Sequence, residues 1–462
     1  RNFANTPILN RANNTNITGN TFLNNKGING GAISNYNANN ATILRNTFTN
    51  NTGMYGGAIY NRGNNTIINK NTFTKNNASI SSGAIYNLGR NTWITNNIFT
   101  NNHANTLGGA INNWETTKTT ITGNKFTGNQ ANYGGAIYYR GTGLKLNNNN
   151  MTSNTARVSG GAVFIIGNNN RILNNNFTAN KARSGAAINN LGTNTNITGN
   201  IIKYNTANTT GAAVNNWNAR NTTIANNTIH HNQAQYGAIY IRGANNTVRS
   251  NNIYSNKASI SGGAIFNIGE NTAIKDNTIK SNNAQNYGGA INNWNGVNTR
   301  ITGNNITYNN ATYGGAINTR GTNTYIVQNT IRSNTATRGG AVFNTAANTT
   351  TMNNNKINNN PTQNGTEVIP AKNIVTITTD DITVNRGNNI TLTTKITNES
   401  NTSQKINTGI VVFKLNGVTL KDNNGNKISI SVENGTATLE YNIPSDMGVK
   451  NYKITTVFLA DN

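Results

Sequence analysis

The chain has 462 residues, of which 109 are Asn, 46 are Gly, four are Pro and none is Cys. The lack of Cys excludes disulfides, thiolate nucleophiles and cysteine zinc sites, and only three His are present, so we expect no metal and no cofactor. No apolar run approaches the roughly 18 residues that a membrane helix needs, so we expect no membrane span.

The net charge of +25 lies entirely in the first part of the chain. Residues 1–360 hold 28 Lys and Arg against three acids, whereas residues 361–462 hold nine of each. A basic surface attracts acidic polysaccharides, anionic cell walls or nucleic acid. The charges are spread out and form no dense basic cluster, so we expect no specific nucleic-acid binding.

Three short apolar patterns recur along residues 1–360. A Gly-Gly-Ala-Ile tetrad or a close variant returns every 25 or 26 residues, from Ile33 to Val342, with a degenerate earlier copy ending at Ile8. An Asn-x-Phe-x-x-Asn motif lies between the tetrads, with its apolar position running from Phe22 to Ile357. A third apolar column, three residues before the first Asn of that motif, begins at Ile17. Fixed periods of this length are typical of solenoid proteins.

Each repeat therefore offers three short strands and no amphipathic stretch long enough for a helix. Such a repeat makes one coil of a parallel β-helix. We predict an all-β chain with a right-handed parallel β-helix of about 14 coils over residues 1–360. Asn46 and Phe48 share parity on one strand, so the Asn columns are expected to stack coil upon coil as structural ladders. Gly-Gly is expected to form a tight corner where a Cβ would collide.

The repeat stops after Asn360. We predict a linker over residues 361–372 and an immunoglobulin-like β-sandwich over residues 373–462. Turn signals such as Asn434-Gly435 separate its alternating strands. The predicted strands are Ile374 to Thr378, Ile390 to Ile396, Ile410 to Leu415, Ile428 to Val432, Thr436 to Tyr441 and Tyr452 to Leu459.

One face of the predicted β-helix carries an aromatic stripe. With the Ile of Gly-Gly-Ala-Ile inward, the next residue and the one two further on point outward. The farther column repeats Trp, then Arg, then an aliphatic residue. The candidate binding residues are Tyr60, Arg62, Trp114, Tyr138, Arg140, Phe164, Trp217, Tyr240, Arg242, Phe266, Trp294 and Arg320.

Three interpretations of this stripe stay open at the level of sequence. The stripe is consistent with internal cation-π stacking of Trp on Arg, with a surface that packs against another protein, and with a glycan-binding surface. A catalytic interpretation is weak, because residues 1–360 contain only Glu115, Glu270 and Asp276 as acids, and glycan cleavage needs paired carboxylates. We therefore expect no enzyme activity.

The motifs resemble two known families. Phe22 to Asn25 together with Gly56 to Ile59 is similar to the paired repeats of chlamydial polymorphic outer membrane proteins. The Asn and Thr richness, with the segment Phe413 to Gly417 and the segment Tyr441 to Pro444, resembles the adhesin-like surface proteins of methanogenic archaea and the immunoglobulin-like domains that follow their β-helices. The resemblance implies an archaeal, extracellular protein of the cell surface.

Taken together, these patterns predict a non-enzymatic surface adhesin whose partners are extracellular proteins, the cell wall or acidic glycans. The alternative is a structural protein whose rods pack into a fibre or wall layer through the aromatic face or the coil ends; a polysaccharide-degrading enzyme ranks third. Asn-x-Thr sequons predict a glycoprotein, with Asn40, Asn221, Asn310, Asn389 and Asn434 as candidates. The sequence starts inside a coil without a signal peptide, so we expect a processed or trimmed chain.

Overall fold

The computed structural model describes residues 6–346, 350–369, 375–398 and 405–459. The described residues contain β-strands, turns and bends and no α-helix. They fall into two compact units, one that ends at about residue 370 and one that follows it. The first unit is a right-handed parallel β-helix, as the repeats predicted.

Each coil of the β-helix contains four short strands, and equivalent strands of successive coils pair in parallel to form four long sheets. We number the sheets in the order in which a coil passes through them, starting at the Gly-Gly-Ala-Ile strand. Sheet 1 comprises Ile8–Asn10, Ile33–Asn35, Ile59–Asn61, Ile85–Asn87, Ile111–Thr117, Ile137–Thr142, Val163–Asn168, Ile188–Asn190, Val214–Trp217, Ile239–Arg242, Ile265–Asn267, Ile291–Asn293, Ile317–Thr319, Val342–Asn344 and Val368–Ile369. Sheet 2 comprises Asn16–Thr18, Thr42–Leu44, Ile67–Asn69, Trp93–Thr95, Thr120–Thr122, Lys145–Asn147, Arg171–Leu173, Asn196–Thr198, Thr223–Ala225, Thr247–Arg249, Ala273–Lys275, Arg300–Thr302, Thr324–Val327 and Thr350–Asn353.

Sheets 3 and 4 complete each coil. Sheet 3 comprises Thr21–Leu23, Thr47–Thr49, Thr72–Thr74, Ile98–Thr100, Lys125–Thr127, Asn150–Thr152, Asn176–Thr178, Ile201–Lys203, Thr228–His230, Asn252–Tyr254, Thr278–Lys280, Asn305–Thr307, Thr330–Arg332 and Lys356–Asn358. Sheet 4 comprises Thr52–Tyr55, Asn77–Ser81, His103–Ala104, Gln130–Tyr133, Thr155–Ser159, Lys181–Ala182, Thr206–Ala207, Gln233–Tyr236, Lys257–Ser261, Asn283–Ala284, Asn310–Tyr313 and Thr335–Arg338.

Sheet 4 is an addition to the three strands per coil that the sequence predicted. Its inward positions are small, for example Gly53, Ala78 and Ala104, which occupy successive coils. These alanines are buried in small clusters of their own. A strand whose core residue is Ala carries almost no apolar signal in the sequence, which is why the pattern of large residues missed it.

The core of the β-helix is a set of stacked columns with equal residues in register. The inward isoleucines of sheets 1 and 2 and the inward Phe and Ile residues of sheet 3 form one continuous cluster, and nearly all of them are fully buried. Phe22 stacks on Phe48 with ring centroids 4.9 Å apart, and the column continues through Phe73, Phe99 and Phe126. In-register stacking thus repeats each favourable contact in every coil.

Two Asn columns run on either side of sheet 3, and both are buried ladders, as predicted. The side-chain amide of Asn76 donates to Oδ1 of Asn102 at 3.0 Å and to the backbone carbonyl of Phe48 at 2.9 Å. The backbone N–H of Asn76 also donates to Oδ1 of Asn102. One side chain therefore closes the turn of the preceding coil and joins the next coil, which accounts for much of the Asn excess.

The Gly-Gly pair makes the corner between sheet 4 and sheet 1. Gly56 has φ of 69°, in the left-handed region that glycine adopts at little cost. A Cβ on Gly57 would collide with the backbone carbonyl oxygen of Gly83 in the next coil. Glycine is therefore favoured at both positions, the first for its conformation and the second for the close approach of neighbouring coils. Ser82 takes the first position in one coil, and Ala186 takes the second in another.

The segment that the sequence assigned to a linker partly continues the β-helix. Thr362 bridges Ala336, and Val368 pairs with Val342 in sheet 1. The predicted linker of residues 361–372 therefore contains at least part of a further coil, and its last residues lie outside those described. The carboxylate of Glu367 accepts hydrogen bonds from the backbone N–H and the side-chain amide of Asn360, the last member of one Asn ladder.

The second unit contains two small antiparallel sheets. One consists of Val375–Thr379, Asn389–Asn398 and Thr436–Asn442, and the other of Ile410–Leu415, Val418–Thr419, Ile430–Ser431 and Ile454–Leu459. They enclose a core that includes Leu392, Phe413 and Leu439. This arrangement is consistent with the predicted terminal sandwich; its immunoglobulin-like character stays a prediction, and Ile374, the predicted first residue of the first strand, lies outside the described residues.

Candidate binding groove

The outer face of sheet 1 and the ends of the sheet 4 strands form a groove that runs along the β-helix. The Gly-Gly corner turns the chain so sharply that these two surfaces face each other across a concave angle. Two cavities occupy this groove, one of about 460 Å³ beside Tyr86 and Trp114 and one of about 730 Å³ between Phe164 and Trp294. Both are lined mainly by aromatic and aliphatic side chains, with Ser, Thr and Asn between them.

The floor of the groove is the nearer of the two predicted outward columns. Its aromatic members include five of the predicted site residues, namely Tyr60, Tyr138, Phe164, Tyr240 and Phe266, and each is at most 9% exposed. The prediction that they form an exposed stripe is therefore wrong. They point away from the core of the β-helix, but the concave corner covers them, and burial raises the pKa of Tyr138 and Tyr240 so that both phenols stay neutral.

The wall of the groove is formed by one residue of each coil at the end of sheet 4. It is either the last residue of a strand, such as Tyr133, or an isolated bridge residue shortly after a strand, such as Ser184. Where the floor is aromatic, this residue is often Tyr and packs edge-on against a floor ring two sheet 1 strands further along the chain. Tyr133 meets Phe164 with ring centroids 5.4 Å apart, and Tyr236 meets Phe266 at 5.1 Å. These contacts fill the groove locally and explain the burial of Phe164 and Phe266.

The opposite edge carries the Trp and Arg residues of the farther predicted column. The guanidinium Cζ of Arg140 lies 4.6 Å from the ring centre of Trp114, and Arg242 lies 4.3 Å from that of Trp217. Arg320 and Trp294 make a third such pair at 4.2 Å. The predicted cation-π stacks are thus present. Arg62 instead stacks on Tyr36, at 4.8 Å.

Three Asn-Asn-Trp motifs, at residues 112–114, 215–217 and 292–294, mark the places where the groove is open. At each of them the floor residue is Asn in place of an aromatic ring. The wall residue there is Ser in place of Tyr, namely Ser81, Ser184 and Ser261, and all three line the cavities. Sequence analysis missed this motif, although its threefold recurrence was visible.

The floor Asn residues hold polar atoms that no other described residue satisfies. The amide of Asn112 donates to Oγ of Ser81 at 2.6 Å, while its own Oδ1 has no partner within the described ranges. Asn215 donates to Asn189 at 2.6 Å and likewise keeps an unpaired Oδ1. Asn292 keeps an unpaired Nδ2. Each of these side chains is at most 2% exposed, so a ligand or water that reached it would gain a hydrogen bond.

Acidic groups are scarce around the groove. Glu115 forms the single salt bridge found in the described part of the chain, with its Oε1 3.6 Å from Nη2 of Arg140. Glu270 and Asp276 are exposed turn residues and line neither cavity. Within the described ranges, no group of three or more His, Asp or Glu side chains could hold a metal ion.

The five predicted glycosylation sites are all exposed. Asn40 and Asn221 lie in left-handed turns and belong to a further Asn ladder, which is exposed. Nδ2 of Asn40 donates to Oδ1 of Asn14 at 3.0 Å, for example. Asn310 begins a sheet 4 strand, and Asn389 and Asn434 belong to the second unit.

In comparisons with known proteins, residues 212–373 match the family model described as the right-handed β-helix region. Curated protein sequences contain no significant match. Among solved structures, a mutant tailspike protein of E. coli bacteriophage HK620 in complex with a pentasaccharide aligns over 99% of this chain and 87% of its own, with 9% sequence identity and a TM-score of 0.36. At that score the alignment carries no argument about this chain's ligand. The structure has no helix long and apolar enough to cross a membrane in the part that it describes.

Proposed function

We propose that the chain is a non-enzymatic extracellular adhesin that binds a glycan of a cell surface or cell wall along its groove. The observation that carries this proposal is the combination, in one concave surface, of aromatic side chains with buried Asn side chains that each keep one polar atom unpaired within the described ranges. Binding sites for small or repeating ligands combine an apolar lining with a few placed polar groups in the same way.

A glycan fits this surface better than a protein partner does. Sugar rings present C–H faces to aromatic rings and hydroxyl groups to amides, and the groove offers both within one coil, for example at Trp217 and Asn215. A protein segment entering the groove would leave the free Oδ1 of Asn215 unpaired unless it placed a donor there. A sugar carries such donors on almost every carbon.

Binding without cleavage is supported by where the acids lie. Glycoside hydrolysis needs two carboxyl groups about 5 to 10 Å apart on either side of the scissile bond. Neither cavity lining contains Asp, Glu or His among the described residues. Glu115 stands at the groove edge, paired with Arg140 and more than half exposed. We therefore expect no release of reducing ends from any bound glycan.

The test compares binding of the full chain with that of the double variant Trp217→Ser, Arg242→Ser on a glycan array and on intact cells. We expect the wild-type chain to bind and the double variant to lose at least tenfold in affinity. The matched control is Thr49→Ser with Thr74→Ser on the polar face of sheet 3, which should bind like the wild type.

Two outcomes would contradict the proposal. Unchanged binding of the double variant, together with a lower melting temperature, would leave the Trp and Arg pairs as internal stacking. Concentration-dependent assembly of the wild-type chain that the double variant abolishes, with no glycan bound, would favour the structural alternative, in which the rods pack into a fibre. Sedimentation velocity distinguishes a monomer from such an assembly.

A further inference from the structure

The groove contains three equivalent sets of residues, which we call subsites. Subsite 1 consists of Ser81, Asn112, Trp114 and Arg140. Subsite 2 consists of Ser184, Asn215, Trp217 and Arg242. Subsite 3 consists of Ser261, Asn292, Trp294 and Arg320. In each, the Ser and the Trp line one of the cavities, and the Arg of the next coil stacks on the Trp. Asn112 and Asn215 line the cavities as well, whereas Asn292 lies behind the lining of the larger one.

The subsites are separated by three or four coils along the groove. Subsites 1 and 2 are four coils apart and subsites 2 and 3 are three coils apart. At about 4.8 Å per coil these separations are about 19 and 14 Å, so all three lie within about 34 Å. A linear polysaccharide chain advances by close to one coil spacing per sugar ring, so a single polymer strand can reach all three subsites.

The charge at the subsites is positive. Arg140, Arg242 and Arg320 are exposed, and Arg183 lines the larger cavity from the opposite wall. Glu115 pairs with Arg140 in subsite 1. The positions equivalent to Glu115 in the other two subsites are Asn218 and Asn295, and all three residues have φ between 55° and 59°. Glu270 bridges Ala244, two residues from Arg242, but within the described ranges neither Arg242 nor Arg320 forms a salt bridge.

We propose that the three subsites bind one linear acidic polysaccharide whose carboxylate groups meet the arginines every three or four sugar units. This inference rests on the proposed function and names the class of glycan. The free atoms of the floor Asn residues would bond sugar hydroxyls, while each guanidinium, already oriented by its Trp, would bond a carboxylate in a charge-assisted pair. Subsite 1 binds most weakly, because Glu115 competes for Arg140.

The first experiment measures binding of the full chain to polygalacturonate, alginate and hyaluronan, each beside its carboxyl-reduced derivative. We expect at least one acidic polymer to bind and its reduced derivative to bind at least tenfold more weakly. Long chains should bind at least 100-fold more tightly than fragments too short to span two subsites, because linked units engage successive subsites at high local concentration.

The second experiment uses Glu115, where charge can be changed without altering the groove. Glu115→Asn makes subsite 1 like the other two and should raise affinity for the acidic polymer about two- to fivefold, the range of an exposed ion pair. Asn295→Glu makes subsite 3 like subsite 1 and should lower affinity. Glu already occupies this left-handed conformation at position 115, so the melting temperature should hardly change in either variant.

The outcomes separate this inference from the proposed function. Equal binding of acidic and carboxyl-reduced polymers, or affinity that ignores both substitutions, would overturn the acidic polysaccharide and leave a neutral glycan as the ligand. Binding of neutral glycans but of no acidic polymer would likewise overturn the acidic polysaccharide and leave the proposed function in place. If the chain binds no glycan at all, the proposed function fails with it.

Discussion

The rings of Phe48 and Phe73 stack with centroids 4.7 Å apart and planes inclined by 3°. Phe48 is fully buried, with Phe22 on its other side at 4.9 Å. We expect Phe48→Ala to cost about 3 to 5 kcal/mol, because it removes two stacking contacts and leaves a cavity that neighbouring coils cannot close. Chemical denaturation measures this loss. Thr49→Ser, on the outer side of the same strand, is the control, and an unchanged unfolding midpoint for Phe48→Ala would contradict the inward position.

The Asn ladders give a second prediction. Asn154 donates to the carbonyl of Phe126 at 3.1 Å and to Oδ1 of Asn180 at 3.0 Å, and it accepts from the side chain of Asn129 at 2.9 Å. Asn154→Leu leaves several of these groups buried without partners, each at a cost of about 1 to 3 kcal/mol. Denaturant unfolding should show a loss of more than about 3 kcal/mol.

The exposed Asn150→Ser, four residues earlier, serves as the comparison for Asn154→Leu. Its side chain accepts a hydrogen bond from the hydroxyl of Thr152 at 3.0 Å on the exposed surface, and we expect a change in unfolding free energy within about 0.5 kcal/mol. An equal loss of unfolding free energy in both variants would contradict the stabilising role of the ladder hydrogen bonds.

Glycosylation should depend on whether the acceptor nitrogen is already engaged. Nδ2 of Asn221 donates to Asn194 at 3.0 Å in the exposed ladder, and a sugar there breaks that bond. No such side-chain bond is found for Asn310 in the described structure. We therefore expect Asn310 and Asn434 to be occupied more fully than Asn40 and Asn221. Mass spectrometry of protein from its native source tests this order, and bare asparagine at every exposed sequon would remove the glycoprotein prediction.

The adjacent His230 and His231 predict a local pH dependence. Their Nδ1 atoms lie 2.8 Å apart, and His230 stacks on Tyr254 at 4.7 Å. Burial, then the proximity of His231 and Lys203, lowers the pKa of His230. The unfolded chain therefore binds the proton more readily, so stability is fully present above pH of about 6.5 and declines as the pH falls below that value.

Melting curves of the wild type and of His230→Gln between pH 4.5 and 8 check this sign. The difference between the two proteins should grow in favour of the variant at acidic pH. NMR titration of the His230 ring should give a midpoint below that of an unfolded peptide, and a higher midpoint would contradict the prediction.

Much of the fold could be predicted because its residues repeat in register. Ile59, Phe48 and Asn46 each belong to a column with a fixed period, and a period shared by 14 copies leaves few alternatives to a β-helix. Sheet 4 could not be predicted in the same way, because Ala78 and its equivalents lack the bulk that marks a core position. The sequence predicted that the Gly-Gly corner is tight. It did not predict that the corner makes the adjoining outer surfaces concave.

That concavity is the reason why the site was predicted only in part. Strand parity correctly sent Tyr138 away from the core, yet parity says nothing about what faces it from another sheet. Tyr133, which belongs to sheet 4, helps to cover the floor beside it. The open positions depend on two small residues from different coils, such as Ser184 in the wall and Asn215 in the floor, and their pairing is visible only in the folded β-helix.

The Asn columns also have a mechanical consequence. Their side-chain hydrogen bonds join successive coils along the axis of the β-helix. A pull along that axis therefore loads the junctions between coils in series. Because every coil contacts only its neighbours, tension strips coils singly and does not unfold the whole unit at once. A released repeat of 25 or 26 residues can extend by about 80 to 90 Å. A β-helix of this kind, held at both ends, therefore yields to axial tension in nearly equal steps. Each step lengthens the chain and limits the force passed to anything bound to it.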